Sequence, residues 1–286
     1  MTPESLLQSI GIQPLAVTPV TGGWDTKLWR VRSAEGEFAL RVFQRGKGGQ
    51  SRELAAMRAA AEGGIPVPRV LAEGEFEGQA YMLLSWCAGV TLADALARQP
   101  WRALALGRAF GRAQARIHAL SPEALPTTDW IAWAGPRAER LRPHLERAGL
   151  RSDALLHLDY HPRNVLVKDG EVSAVLDWTN ARRGDPRADC ARTLAILRFA
   201  PTSGGPILGF LETVIRRYVV VGWRRGYREV VPLGNLLPFE AWAGAVLLED
   251  LTPKLGQSGL PLTAAHLDRV RRWTDGVIAE LETRPY

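Results

Sequence analysis

The chain has 286 residues, 46% of them hydrophobic and 23% charged, which is typical of a globular protein with one large core or two smaller ones. Its two cysteines are too few for a disulfide framework or a cysteine metal site, and there is neither a run of 18 apolar residues nor a signal-peptide pattern, so we expect a cytoplasmic protein with no membrane partner. The net charge of +6 comes mainly from arginines that are scattered along the chain, and we therefore expect no nucleic-acid partner.

The first 85 residues have the pattern of a small antiparallel sheet. Apolar and β-branched residues fall in short runs bounded by glycine, proline and charged residues, which is typical of strands. Two further segments have apolar residues at helical spacing. The predicted helices cover 3–10 and 50–61, and the predicted strands cover 15–21, 28–33, 37–43, 69–73 and 81–85.

Gly22 and Gly23 lie in the turn after the first predicted strand. Because glycine lacks a Cβ and adopts unusual dihedral angles, such a turn lets backbone amides approach phosphate oxygens. An ordinary hairpin turn has the same sequence signature. The two glycines are therefore candidate nucleotide-binding residues with a purely structural alternative.

Helical periodicity dominates from residue 86 onwards, and no internal repeat interrupts it. The exception is a hairpin at 165–176, where two apolar runs flank Lys168-Asp169-Gly170. The predicted helices cover 92–98, 101–120, 186–198, 206–222, 239–251 and 263–283.

Polar side chains frame this hairpin. Asn164 enters its first strand, Asp177 leaves its second, and Asp159 lies one short loop earlier. A hairpin returns its ends to one place, so we expect these three side chains to lie together. Carboxylate and amide oxygens are ligands that Mg²⁺ prefers, so the pattern predicts a magnesium site.

The order of these residues matches the kinase pattern of phosphoryl transfer. There, a loop aspartate accepts the proton of the attacking hydroxyl, and an asparagine and a later aspartate hold metal. The kinase strand lysine is replaced by Arg41, whose guanidinium still suits phosphate, and Glu53 on the next helix is its candidate partner. The alternatives are an exposed strand cation and an acid favoured by the helix dipole.

His157, Asp159, Asn164 and Asp177, followed by the segment GDPRAD at 184–189, resemble the aminoglycoside phosphotransferase and choline kinase-like family. The resemblance implies a two-lobed protein-kinase-like α+β fold, with a small antiparallel-sheet lobe over 1–85, a larger mainly helical lobe over 86–286 and a hinge at 86–89. It also implies Mg²⁺, ATP or GTP as co-substrate, and O-phosphorylation of a small molecule. Asp159 would be the catalytic base, and Asn164 and Asp177 the metal ligands.

The resemblance assigns further roles around the nucleotide. Adenine would meet the backbone at Ser85, Trp86 and Cys87, although Trp86 has a packing role as its alternative. Where the family often has a glutamate shortly after the metal aspartate, this chain has Thr179 and Asn180. This departure puts a second metal contact from that position in doubt.

Four supporting residues also follow from the resemblance. His157 would anchor the loop by hydrogen bonding, and His161 would approach phosphate or metal. Asp185 and Asp189 would be supporting acids, with Asp189 bracing the catalytic loop.

Two other functions fit parts of the sequence. His157, Asp159 and His161 form H-x-D-x-H, a spacing that suits a metal-dependent hydrolase. A nucleotide-binding protein without transfer activity is the other. The small-molecule hydroxyl acceptor stays open among antibiotics, sugars, amino alcohols and hydroxy acids, and the basic chain disfavours a polycationic aminoglycoside.

Overall fold

The computed structural model describes residues 2–20, 26–43, 49–123, 125, 128–201, 206–257 and 262–283. The chain begins with a five-stranded antiparallel sheet and continues into a mostly helical part, as the α+β prediction requires. No helix among these residues is long and apolar enough to cross a membrane.

The sheet has the strand order β1-β2-β3-β5-β4 and carries one helix on each face. Helix α1 starts at a capping box formed by Thr2 and Ser5, and it packs on one face of the sheet. Helix α2 packs on the other face. The elements are α1 (Pro3–Ser9), β1 (Pro14–Val20), β2 (Thr26–Ser33), β3 (Gly36–Phe43), α2 (Gln50–Glu62), β4 (Val70–Phe76) and β5 (Gln79–Ser85).

Alternation along β3 determines which side chains meet α2. Leu40 and Val42 join the apolar cluster with α1, whereas Phe43 joins the cluster with α2. Successive side chains of a strand point to opposite faces, so Arg41 shares the α2 face with Phe43. The strand thus presents its one arginine to the helix that carries Glu53.

The helical part encloses two small sheets. Strands β6, β8 and β9 form one sheet, and β7 and β10 form the other. The remaining elements are β6 (Val90–Thr91), α3 (Leu92–Arg98), α4 (Ala103–His118), α5 (Ala138–Arg147), β7 (Ala154–Leu156), β8 (Val165–Lys168), β9 (Glu171–Val175), β10 (Arg182–Gly184), α6 (Pro186–Phe199), α7 (Pro206–Arg228), α8 (Leu237–Leu251) and α9 (Ala264–Thr283).

The predicted hairpin is present as β8 and β9. Asp169 and Gly170 both have positive φ, at 54° and 92°, which is the signature of the tight turn that Asp-Gly favours. The pairing Val165 with Val175 brings the two outer ends of the hairpin together. Asn164 and Asp177 therefore lie at the same end, next to the loop that begins after β7.

Helix α7 is longer than predicted. We expected it to end at Gly222, but it continues to Arg228 through a second glycine, Gly226. A Cβ at Gly222 or Gly226 would collide with the backbone of α4, and a Cβ at Gly111 of α4 would collide with the backbone of α7. These glycines permit close packing of two helices, so they do not end the helix as glycine commonly does.

Candidate active site

The open end of the hairpin brings the three predicted oxygen-bearing residues together. The amide of Asn164 donates from Nδ2 to the backbone oxygen of Asp159 at 3.0 Å and to its Oδ2 at 3.2 Å. The backbone N–H of Leu176, which precedes Asp177, donates to the carbonyl of Asn164 at 2.8 Å. The loop, the first strand and the end of the second strand are thus joined by direct hydrogen bonds.

Arg41 reaches this cluster from the sheet. Its Nη1 pairs with Glu53 of α2, and its Nη2 lies 3.1 Å from Asp177 Oδ1 and 3.0 Å from Thr179 Oγ1. Its Nε donates to Thr26 Oγ1 at 3.1 Å. The expected Arg41–Glu53 pair is therefore present, and the same guanidinium also contacts the expected metal ligand.

The pKa values of the two carboxylates that contact Arg41 are shifted in opposite directions. Glu53 is 1% exposed, and burial raises its pKa although Arg41 opposes the shift. Burial also acts to raise the pKa of Asp177, but the charge of Arg41 and hydrogen bonds from Thr179 and Arg41 outweigh it and lower that pKa. Asp177 is therefore an ionised carboxylate at neutral pH, with its side chain 40% exposed.

Asp189 binds the backbone at the start of the loop that carries Asp159. It is fully buried in the first turn of α6, and its carboxylate accepts the backbone N–H groups of His157 and Leu158 at 2.9 and 2.8 Å. His118 Nε2 lies 2.9 Å from the same carboxylate, and its Nδ1 lies 2.7 Å from the hydroxyl of Tyr227. Burial acts to raise the pKa of Asp189, but the hydrogen bond from His118 and neighbouring charges lower it.

Sequence reasoning missed Arg192, which holds the other side of the loop. Leu158 has φ of 59°, a left-handed conformation that is strained for a residue with a side chain. Arg192 Nε donates to the Leu158 carbonyl at 3.0 Å, while its Nη2 pairs with Asp250 of α8 at 2.7 Å. Its position three residues after Asp189 puts both on one side of α6, but one arginine among many gives no signal in the sequence.

Both ring nitrogens of His157 make hydrogen bonds to the backbone around the site. Its Nδ1 accepts the N–H of Asp159 at 3.3 Å, and its Nε2 donates to the carbonyl of Leu176 at 2.9 Å. His161 accepts the N–H of Arg163 on Nδ1, and its Nε2 is 3.6 Å from Asp159 Oδ2. Burial lowers the pKa of His161.

These contacts count against the H-x-D-x-H metal site, because neither ring nitrogen of His157 has a lone pair left for a metal. In the described part of the chain, no group of three or more His, Cys, Asp or Glu side chains is placed to hold a metal ion.

The contacts of Asp185 fix the start of α6. It is the N-cap of α6, accepting the N–H of Arg187 at 2.9 Å, and its other oxygen accepts the N–H of Arg151 at 2.9 Å. The guanidinium of Arg187 also pairs with it at 2.6 Å. The structure therefore separates the two acids: Asp189 contacts the catalytic loop, and Asp185 fixes the start of α6.

Two backbone amides of the hinge segment donate to neighbouring carbonyls. The N–H of Ser85 donates to the carbonyl of Arg69, and the N–H of Trp86 donates to the carbonyl of Glu37. The Trp86 ring lies against the guanidinium of Arg30, 4.6 Å from the ring centre, which is the packing role. The N–H of Cys87 remains as the candidate base-binding donor. Gly22 and Gly23 lie outside the described residues.

The donor set suits a hard cation. The contacts of Asp177 with described residues fall on Oδ1, and Asn164 uses its Nδ2, so Asp177 Oδ2 and Asn164 Oδ1 remain as oxygen ligands. Magnesium takes one or two protein oxygens together with water and substrate phosphates. The residues present therefore fit magnesium, which Asn164 and Asp177 would hold.

Comparison with known proteins identifies the class. The chain belongs to the phosphotransferase enzyme family, whose model matches residues 16–155 and 135–229.

Solved structures confirm the predicted two-lobed, protein-kinase-like fold. A thermostable mutant of aminoglycoside phosphotransferase APH(4)-Ia without ligand is 17% identical, with a TM-score of 0.68 over 99% of this chain and 100% of the other. Aminoglycoside-3'-phosphotransferase of type VIII is 22% identical, with a TM-score of 0.54 over 85% and 98%.

A curated mouse protein, acyl-CoA dehydrogenase family member 10, is 25% identical over 84% of this chain. The chain spans only 26% of the length of that relative.

Proposed function

We propose that the protein transfers the γ-phosphate of ATP or GTP to a hydroxyl group of a small molecule, with Mg²⁺ as cofactor. The observation that carries this proposal is the meeting of Asp159, Asn164 and Asp177 at one end of the hairpin, with Arg41 joined to Asp177. Phosphoryl transfer depends mainly on positioning and on neutralising charge, and these residues supply both.

Asp159 orients the acceptor hydroxyl and takes its proton. Its carboxylate is held by the amide of Asn164 at 3.2 Å, while Asn164 and Asp177 hold the metal through their remaining oxygens. Magnesium held by these residues would neutralise the charge of the nucleotide phosphates. Arg41 binds phosphate oxygens, and the buried Glu53 keeps its guanidinium in place.

The nucleotide lies between the sheet and the helical part. We assign residues 1–85 to a nucleotide-binding lobe and 86–286 to a catalytic and acceptor-binding lobe, because β5 ends at Ser85 and the helices follow. Within the hinge segment Ser85–Cys87, the backbone amide of Cys87 donates to the nucleotide base. Gly22 and Gly23 are assigned to binding of the nucleotide phosphates. Two structures of this fold, with ADP and hygromycin B and with streptomycin and ATP, support a nucleotide and a small-molecule acceptor.

The first test measures binding. The melting temperature of the wild type and of Asp177→Asn is recorded with ATP or GTP, with and without magnesium, because a ligand that binds only the native state raises it. We expect a magnesium-dependent increase in the wild type and its loss in Asp177→Asn. No increase with either nucleotide would overturn the proposal.

The second test measures transfer. The nucleotide that stabilises the protein is supplied with labelled γ-phosphate, and aminoglycosides, macrolides, sugars, amino alcohols and hydroxy acids are screened for labelled product. We expect Asp159→Asn to bind Mg-nucleotide like the wild type and to lose transfer by at least about 100-fold, the lower range for a general base. Equal transfer by Asp159→Asn would show that Asp159 is not the base.

A further inference from the structure

We propose that Thr179 is a positioning residue, which fixes the Asp177 carboxylate so that one oxygen stays directed to the magnesium of the bound nucleotide. The inference rests on the proposed role of Asp177 as a metal ligand. It assigns a function to the residue at which the sequence departs from the resembled family.

The hydroxyl of Thr179 lies among three charged side chains. Its Oγ1 is 2.8 Å from Asp177 Oδ1, 3.0 Å from Arg41 Nη2 and 3.3 Å from Glu53 Oε2. A hydroxyl has one proton to donate and two lone pairs to accept with. It therefore accepts from Arg41 and donates to one carboxylate, and the shorter distance selects Asp177.

This hydrogen bond acts together with the Arg41 contact on a half-exposed side chain. The Asp177 side chain is 40% exposed, and its backbone is left-handed with φ of 61°. Both Thr179 and Arg41 contact Oδ1, so together they fix the plane of the carboxylate and leave Oδ2 for the metal. Mg²⁺ demands near-octahedral geometry at about 2.0–2.1 Å, so a rotating carboxylate would bind it less tightly.

Thr179 lies beside the start of α2, because a Cβ placed on the N-cap residue Gly49 would be 3.7 Å from Thr179 Cγ2. The hydroxyl that contacts Asp177 therefore lies next to the start of the helix that carries Glu53.

Two variants distinguish the effect of the Thr179 hydroxyl from the effect of the shape of its side chain. Thr179→Val keeps the branched shape and removes the hydroxyl, whereas Thr179→Ser keeps the hydroxyl and removes the methyl. The measurement is the magnesium concentration that gives half of the nucleotide-dependent rise in melting temperature, using ATP or GTP, whichever stabilises the wild type. Outer-shell partners of metal ligands typically contribute 10- to 100-fold in metal affinity.

We expect Thr179→Val to raise the half-maximal magnesium concentration at least about 10-fold, and Thr179→Ser to stay within about threefold of the wild type. The melting temperature without ligand shows whether each variant is folded. If Thr179→Val is unstable, Thr179→Ala, which also lacks the hydroxyl, is measured instead against the same Ser control.

Asp177→Asn distinguishes the two proposals. If it binds magnesium-nucleotide like the wild type, Asp177 is not a metal ligand and the proposed site fails along with the inference. If Asp177→Asn loses the magnesium dependence while Thr179→Val keeps the wild-type value, only the positioning role of Thr179 is overturned. An equal loss in Thr179→Val and Thr179→Ser would also overturn it, because the hydroxyl would then not be the determinant.

Discussion

Leu158 and Asp177 border the same site, and both have a left-handed backbone, with φ of 59° and 61°. Leu158 is buried, and its N–H and C=O are bound by the side chains of Asp189 and Arg192, which both come from α6. Asp177 is half-exposed and is held through its side chain by Thr179 and by Arg41 of the sheet. Among the described residues, Leu158 is thus held by the helical part, whereas Asp177 is also held from the sheet.

The two sides of the site should therefore respond differently to amino-acid substitution. A loop fixed by buried charges loses stability when one partner is removed, because the remaining polar groups cannot reach water. A half-exposed carboxylate can be solvated instead. We therefore expect substitutions beneath the loop to affect folding, and substitutions at Asp177 to affect mainly ligand binding.

The largest effect is expected from Asp189→Ala. It leaves the N–H groups of His157 and Leu158 and the ring of His118 without their buried acceptor, at a cost of about 3–5 kcal/mol in the free energy of unfolding. Urea unfolding measures it. The control is Asp153→Asn, an exposed acid for which we expect a change below about 0.5 kcal/mol. A loss below about 1 kcal/mol in Asp189→Ala would contradict the role of this carboxylate.

The next largest effect is expected from Arg192→Gln, at about 2–3 kcal/mol, because a charge-assisted bond to the Leu158 carbonyl and the pair with Asp250 are lost together. The rate of phosphate transfer should fall more than nucleotide affinity. Asp250→Asn is the matched control: it removes the charge of the half-exposed partner but keeps an oxygen that can accept from Arg192 Nη2, so it should cost less than Arg192→Gln. If both variants behave alike, the contact with Leu158 is not what holds the loop.

The pH dependence of the unfolding free energy tests the role of the Asp189 carboxylate. Because the folded pKa of Asp189 lies below its ordinary value, its ionisation stabilises the protein above the unfolded pKa, about 3.9, and this stabilisation is lost as pH falls through the folded pKa. The difference in unfolding free energy between the wild type and Asp189→Asn should therefore narrow below about pH 4, by at most about 1.4 kcal/mol per pH unit. A constant difference from pH 7 to pH 2 would contradict this assignment.

The smallest effect on folding is expected from Asp177→Asn. Asparagine tolerates the left-handed backbone and is readily solvated, so the unfolding free energy should change by less than about 1 kcal/mol. The same protein should lose magnesium-dependent nucleotide binding. A loss of stability as large as that of Asp189→Ala would show that the two sides of the site do not differ in the way described.

The sequence predicted the local elements of the site well. The Asp-Gly turn and its flanking apolar runs specify a hairpin through short-range rules, and a hairpin necessarily brings Asn164 and Asp177 to one end. The pairing of Arg41 with Glu53 was also predicted, from the kinase pattern of a strand cation paired with a helix glutamate. The segment from His157 to Asp189 carried the family, which the comparisons confirm.

Other features depended on contacts between distant parts of the chain. The backbone of Ser85, Trp86 and Cys87 was expected to meet adenine, and the sequence did not show that the amides of Ser85 and Trp86 donate to the carbonyls of Arg69 and Glu37. The continuation of α7 past Gly222 depends on α4, which packs against it from a hundred residues away.

What the sequence by itself determined is therefore the chemistry: which elements form, which oxygen and guanidinium groups they carry, and which family they specify. What only the tertiary structure decided is how those groups are held, by Thr179 at one side and by Arg192 and Asp189 at the other. The physical reason is the sequence separation over which each kind of interaction acts. Periodicity and turn chemistry act over a few residues, whereas the partners of a buried charge are set by the packing of elements that are far apart in sequence.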